Sequence, residues 1–300
     1  MEVESGRGRA AVAMTDRIRV RRWDVEKEVD VERRYLMFGP SGFGKTHYLI
    51  WMLSFLARKL WIVFSFSKTD ACAKAGSGVS KFTPYGFVHD GWDEGVLKEF
   101  LELMAQLKQA KEDRGLPIRY SFIVFDDIAD EKGFKTSTTL DAFGVKSRHY
   151  GTGGALLVQA TKFIPTSLRK QFHAVILTQN GSQKEMKTVW EEYGTCFPTF
   201  KHFMEYFRAI TSPKTAAGLK PGEAAPKSRR FMVIDLTKPN NIEDSVFYTE
   251  APKELPEFRI GPEHFRELSL LCKKDRATKN IFMMPTAEEC ADEEDDDLLL

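Results

Sequence analysis

The feature that most restricts this chain is the string Gly39-Pro40-Ser41-Gly42-Phe43-Gly44-Lys45-Thr46, set between the apolar run Tyr35–Phe38 and the greasy stretch Lys45–Lys59. It fits the pattern G-x-x-x-x-G-K-[ST], which functions as a strand–loop–helix unit. Glycines let the backbone fold tightly enough for several N–H groups to point at one anion. The following helix offers its positive amino end to the same charge. In such a unit Lys45 is placed to reach the β- and γ-phosphates of a nucleotide, and the Thr46 hydroxyl to ligate Mg²⁺.

The rest of the chain has the texture that this unit requires. Leu60–Phe66, Phe122–Phe125, Ala155–Val158, Ala174–Leu177 and Phe231–Asp235 are short apolar runs without polar alternation. Such runs are expected where helices cover both faces of a parallel sheet. Between them, Asp93–Lys111 repeats Val96, Leu97, Phe100, Leu101, Met104 and Leu107 at helical spacing. Gln183–Tyr193 and Phe200–Ile210 also read as helices, with a further short one near Glu263–Cys272. The predicted fold is α/β, a P-loop NTPase (RecA-like) with a mostly parallel central sheet flanked by helices.

Several polar residues stand at the ends of these runs. Tyr120–Asp127 is an apolar strand closing on two carboxylates. Asp126 fits the role of holding Mg²⁺, and Asp127 that of orienting or deprotonating an attacking water. The fourth run ends in Gln159, at the carboxyl end of a central strand, where ligands of such sheets bind. There an amide can report the γ-phosphate. Arg148 precedes that strand and Arg169 follows it. Either is a candidate arginine finger, a cation that stabilises transition-state charge. His149 reads as structural.

Composition narrows the class. The chain has 300 residues, 42% of them hydrophobic, enough to bury a core and to exclude a wholly disordered polymer. The net charge of +1 hides an asymmetry. Residues 288–300 carry only acids among their charged side chains, and without them 44 bases face 35 acids, a net +9. The four cysteines, Cys72, Cys196, Cys272 and Cys290, form no C-x-x-C pair, so neither a disulfide framework nor a zinc ribbon is expected. The first 30 residues alternate charge without an apolar segment, so no signal peptide is visible. No run approaches the roughly 20 apolar residues of a membrane span, so a soluble protein without membrane insertion is expected. The domain plan is a charged flexible arm (1–30), the ATPase domain (31–240) with a basic loop (211–230), a C-terminal extension (241–287) and an acidic disordered tail (288–300).

Taken in order, Phe38–Thr46, Phe122–Asp127, Ser147-Arg148-His149-Tyr150-Gly151, Leu157–Gln159 and Ile164-Pro165 through Leu168-Arg169 resemble the FtsK–HerA superfamily of P-loop motor ATPases. More narrowly they resemble the poxvirus-type genome-packaging ATPases of nucleocytoplasmic large DNA viruses and virophages. The likeness spans about residues 33–240. It implies Lys45 and Thr46 for nucleotide and magnesium, Asp126 and Asp127 for metal and water, Gln159 as sensor and Arg169 as the finger. Family members often carry Asn two places after that arginine, where this chain has Gln171. The resemblance further implies an ATP-driven double-stranded DNA translocase packaging a viral genome, a homo-oligomeric ring (commonly a hexamer), a capsid protein or nuclease as partner, and a location in the host cytoplasm or virion. A cellular HerA/FtsK-like DNA pump would use the same residues. A P-loop phosphotransferase would want a compact arginine cluster as a lid, which the sequence lacks. The absence of an Asn-Lys-x-Asp run argues against a GTPase, and the second carboxylate argues against a nucleotide switch without turnover. The lysines of the basic loop suit sequence-blind phosphate contact or a plain solvated loop. The acidic tail reads as a solubiliser, a docking tag or a DNA mimic.

Overall fold

The computed structural model describes residues 13–15, 18–68, 78–212 and 228–263. Ten strands form one sheet: β1 (Ala13–Thr15), β2 (Ile18–Arg22), β3 (Arg34–Phe38), β4 (Leu60–Ser67), β5 (Val88–His89), β6 (Tyr120–Asp126), β7 (Thr152–Val158), β8 (Ala174–Leu177), β9 (Arg230–Asp235) and β10 (Val246–Glu250). Their spatial order is β1-β2-β10-β9-β8-β3-β7-β6-β4-β5. The block β8-β3-β7-β6-β4-β5 is parallel throughout, while β9 runs antiparallel to both β8 and β10. The sheet is therefore mixed and mostly parallel, as the unalternating apolar runs require.

Each central strand divides its side chains between two cores. On β3, Leu36 and Phe38 join one cluster and Tyr35 and Met37 the other; on β6, Ile123 and Phe125 oppose Phe122 and Val124. The first face is covered by α3 (Glu94–Asp113), α4 (Thr138–Lys146), α5 (Thr166–Arg169), α6 (Gln183–Tyr193) and α7 (Phe200–Thr211), through residues such as Phe100, Phe143, Leu168, Val189 and Phe203. The second is covered by α1 (Val25–Glu28) and α2 (Lys45–Leu56), through Val25, Leu49, Met52 and Leu53. A last short helix, α8 (Ile242–Ser245), leads into β10. Helix starts follow ordinary capping chemistry: Asp93, Ser137, Ser182 and Thr199 accept backbone N–H groups at the heads of α3, α4, α6 and α7.

Two parts of the expected domain plan are corrected. The amino-terminal segment is not a loose arm over residues 18–30. β2 pairs in parallel with β10, Trp23 donates its N–H to the Tyr248 carbonyl at 2.8 Å, and Trp23, Val25, Val29 and Val31 are buried. The chain then crosses β7 so closely that a Cβ on Gly153 would sit 2.0 Å from the Val31 carbonyl oxygen. Nor do residues 241–263 form an appended extension: β10 completes the sheet, Phe258 stacks on Phe82 at 4.3 Å, and the Ile260 N–H reaches the Phe82 carbonyl at 3.0 Å. The helix expected near Glu263–Cys272, most of the basic loop, the acidic tail and three of the four cysteines lie outside the described residues. Among the described residues, no helix is long and apolar enough to cross a membrane.

Candidate nucleotide-binding site

The loop Gly39–Gly44 leaves the carboxyl end of β3 and enters α2. Gly39, Gly42 and Gly44 have φ of 151°, 74° and 83°, conformations that side chains rarely adopt. Gly39 is fixed from both sides: its N–H donates to the Val158 carbonyl at 3.2 Å, and a Cβ would fall 1.8 Å from the hydroxyl oxygen of Thr178, just past β8. Thr178 in turn donates its own N–H to the Phe38 carbonyl at 3.0 Å. This buried threonine escaped the sequence reading. Its signal was a polar residue directly after the apolar run Ala174–Leu177, the position that Gln159 holds after β7.

Lys45 is buried at 6% exposure, and its ammonium donates to the carbonyls of Gly39 at 2.9 Å and Pro40 at 3.1 Å. Burial pulls its pKa below the ordinary lysine value, while Asp127 and Asp126 oppose that pull. The Thr46 hydroxyl donates to Asp126 Oδ2 at 3.0 Å, across from the end of β6. A hydroxyl and a carboxylate this close are hard oxygen donors of the kind that would suit a Mg²⁺ ion. Asp127 stands next, half-buried, with φ of 52°, the one non-glycine residue of positive φ among the described residues. The left-handed turn separates the two carboxylates: Asp126 still follows the strand, whereas Asp127 has turned out of it. Aspartate tolerates that conformation better than most residues, and strain of this kind concentrates at functional sites.

Gln159 is exposed and follows Val158, the residue whose carbonyl holds Gly39. The structure thus brings together Gly39–Thr46, Asp126, Asp127 and Gln159 at the carboxyl ends of three adjacent strands. It does not bring the two arginines there. Arg148 precedes β7, at the opposite end of the sheet, beside Arg34. Arg169 closes α5, with its guanidinium on Glu192 of α6 at 2.8 Å and on the Ile164 carbonyl at 3.4 Å.

No protein-family model matches the chain. Among curated proteins it is similar to Uncharacterized protein 075L of Invertebrate iridescent virus 6, 21% identical over 253 residues (82% of this chain and 88% of that one). It is also similar to Uncharacterized protein L437 of Acanthamoeba polyphaga mimivirus, 23% identical over 252 residues (82% and 81%). Among solved structures it is similar to B204, the DNA-packaging ATPase of Sulfolobus Turreted Icosahedral Virus, with a TM-score of 0.47 and 16% identity, covering 75% of this chain and 100% of that one. The pCW3 conjugation coupling protein TcpA, with ATPγS, gives 0.46 and 12%, over 88% and 69%. Both of these curated relatives are viral proteins.

Proposed function

We propose that this chain is an ATP-driven motor that moves double-stranded DNA into a viral capsid. The observation that carries the ATPase part is the convergence of a glycine loop, Lys45, the Thr46–Asp126 contact and the turned-out Asp127 at one end of the sheet. The translocation part is supported by the order of Arg148, Gln159 and Arg169, which resembles that of packaging motors.

Binding of the triphosphate draws the Lys45 ammonium off the carbonyls of Gly39 and Pro40 and onto phosphate oxygens, exchanging neutral acceptors for charged ones. Thr46 and Asp126 would hold a Mg²⁺ ion, which would supply positive charge to offset that of the phosphates. Asp127 aligns a water on the γ-phosphorus and accepts its proton. The new O–P bond forms as the bond to the β-phosphate oxygen breaks, leaving ADP and phosphate. Gln159 senses whether the γ-phosphate is present. Because Arg148 and Arg169 lie away from the loop of their own chain, the finger acts on the nucleotide of a neighbouring subunit, which makes activity depend on ring assembly.

The test is ATP turnover with and without long duplex DNA, with Lys45→Ala and Asp127→Asn as controls. DNA-stimulated hydrolysis and nucleotide-dependent rings are expected. Turnover indifferent to DNA, with no ring under any nucleotide condition, defeats translocation. A phosphorylated small molecule in place of free phosphate would instead favour a phosphotransferase.

A further inference from the structure

The connections that leave the carboxyl ends of β6 and β7 carry cations as well as carboxylates. Beyond Asp127, Lys135 lies in the 3₁₀ turn Phe134–Thr136 that leads into α4. Beyond Gln159, Lys162 lies in the 3₁₀ turn Thr161–Phe163. Both side chains are exposed, and they meet at one ring. The ammonium of Lys162 stands 4.8 Å, and that of Lys135 5.2 Å, from the centroid of the half-buried Phe163. Two like charges from separate segments are thus gathered on one phenyl group, an arrangement that repels itself until an anion joins it.

The carboxylates of the surrounding segments are engaged elsewhere. Glu131 pairs with Lys68 at 3.2 Å and accepts the Trp92 N–H at 3.1 Å. Glu94 accepts the Ser137 hydroxyl at 2.7 Å and the Thr139 N–H at 3.0 Å. Asp141 accepts the Ser167 hydroxyl. Glu185, at the head of α6, accepts both the N–H and the hydroxyl of Thr161 at 2.7 Å, which ties the turn carrying Lys162 to that helix. Among the described residues neither Lys135 nor Lys162 forms an ion pair, with the exposed Asp130 or with any other acid. The ring narrows the anion. Single-stranded nucleic acid is held by bases stacked on open aromatic faces, whereas here ammonium groups lie over the ring and compete with a base. Point charges on flexible stems suit the phosphates of a duplex backbone, whatever sequence it carries.

We infer that Lys135 and Lys162, braced on Phe163, contact the phosphate backbone of double-stranded DNA, beside the carboxyl ends of β6 and β7 rather than through the lysines of residues 211–230. This rests on the motor reading above and adds where the duplex is gripped. The grip falls on the two connections that begin with Asp127 and Gln159, so duplex and γ-phosphate bear on the same segments.

The test is the salt dependence of duplex binding by the full chain, read from the anisotropy of labelled AT-rich and GC-rich duplexes of equal length, beside ATP turnover with and without duplex. In Lys135→Ala/Lys162→Ala the slope of log affinity against log salt is expected to fall by about 2, equally on the two duplexes. Stimulation of turnover by duplex is expected to be lost and DNA-free turnover kept, while Lys135→Arg/Lys162→Arg keeps the wild-type slope. A slope unchanged in the alanine pair, whether or not Lys214→Ala/Lys220→Ala/Lys227→Ala lowers it, overturns the inference. So does a loss confined to one duplex, or a single strand that binds wild type more tightly than the duplex does. Should the alanine pair lose DNA-free turnover, the two single alanine variants, each expected to lower the slope by about 1, still decide. Duplex bound equally by wild type and the alanine pair refutes this contact alone, whereas wild type that binds no duplex at low salt refutes the motor reading with it.

Discussion

The two ends of the central sheet hold charge in opposite ways. At the carboxyl end, Lys45, Asp126 and Asp127 share a small region, and the ammonium rests on backbone carbonyls although carboxylates are near. At the amino end, Arg34 is buried at 8% exposure with no acidic partner among the described residues, its guanidinium donating to the Gln171 carbonyl at 2.8 Å and to the Ser147 hydroxyl. Burial and the neighbouring Arg148 pull its pKa down to about 10. Arg33 reaches the fully buried Asp235 at 3.5 Å, and Asp235 also accepts the N–H and hydroxyl of Thr237. The amino end spends its polar groups on closing the fold. The carboxyl end keeps the Lys45 ammonium on neutral, exchangeable acceptors, as the proposed triphosphate site would require.

The largest expected effects fall at the carboxyl end and separate chemistry from binding. Asn tolerates the left-handed backbone of Asp127 as well as Asp does, so Asp127→Asn removes the proposed base without disturbing the turn. Hydrolysis is expected to fall by about 10²–10⁴ with nucleotide affinity retained, a general-base magnitude, measured by single-turnover kinetics beside equilibrium binding. Lys45→Ala is expected to lower kcat/KM by about 10²–10³ and to weaken triphosphate binding as well. If Asp127→Asn impaired binding and not turnover, the division between the two carboxylates would be reversed.

Next comes the joint between the loop and β8. Gly39→Ala places a methyl group inside the Thr178 hydroxyl and asks alanine for a φ of 151°. Overpacking of this kind costs about 1–3 kcal/mol, and backbone strain adds a similar amount. Thr178→Ala removes the hydroxyl that the methyl group meets, so the double variant is expected to recover about 1 kcal/mol relative to additivity, read from a denaturant double-mutant cycle. Strict additivity would show that the loop relaxes away from β8 and that Thr178 does not fix it.

Legibility followed the kind of signal. The glycine loop, the strands covered on both faces and α3, α6 and α7 were readable because each rests on local spacing. Residues 18–31 were not: Val20, Trp23, Val25, Val29 and Val31 are buried one at a time among charges, so no periodicity shows, and their partner β10 is more than two hundred residues away. Thr178 shows in the sequence only as a polar residue after an apolar run, and its role, a contact across strands, is not written there. Of the candidate site, the parts carried by contiguous motifs, Gly39–Thr46 and Asp126–Asp127, were visible.

The smallest effect probes the amino end, where pH is the lever. His173 Nδ1 accepts the Arg34 N–H at 3.1 Å, so the ring is neutral there, and protonation would destroy the acceptor. Burial, then Arg34, Arg33 and Arg148, push its pKa down to about 4, against the weaker opposing pull of Asp235. An unfolded histidine titrates near 6.5. Between those values the unfolded chain binds more protons than the folded one, so this residue's contribution to stability is complete above about pH 6.5 and declines as pH falls toward 4. Thermal melts at pH 7 and pH 5 should therefore show a larger loss of Tm for wild type than for His173→Gln, which cannot charge. The nucleotide affinity of His173→Gln should match that of wild type at both pH values, because the lever sits at the far end of the strands from Lys45. Equal Tm losses in the two proteins would mean that the arginines do not confine His173 to its neutral form. A shift in nucleotide affinity would mean that the two ends of the sheet are coupled.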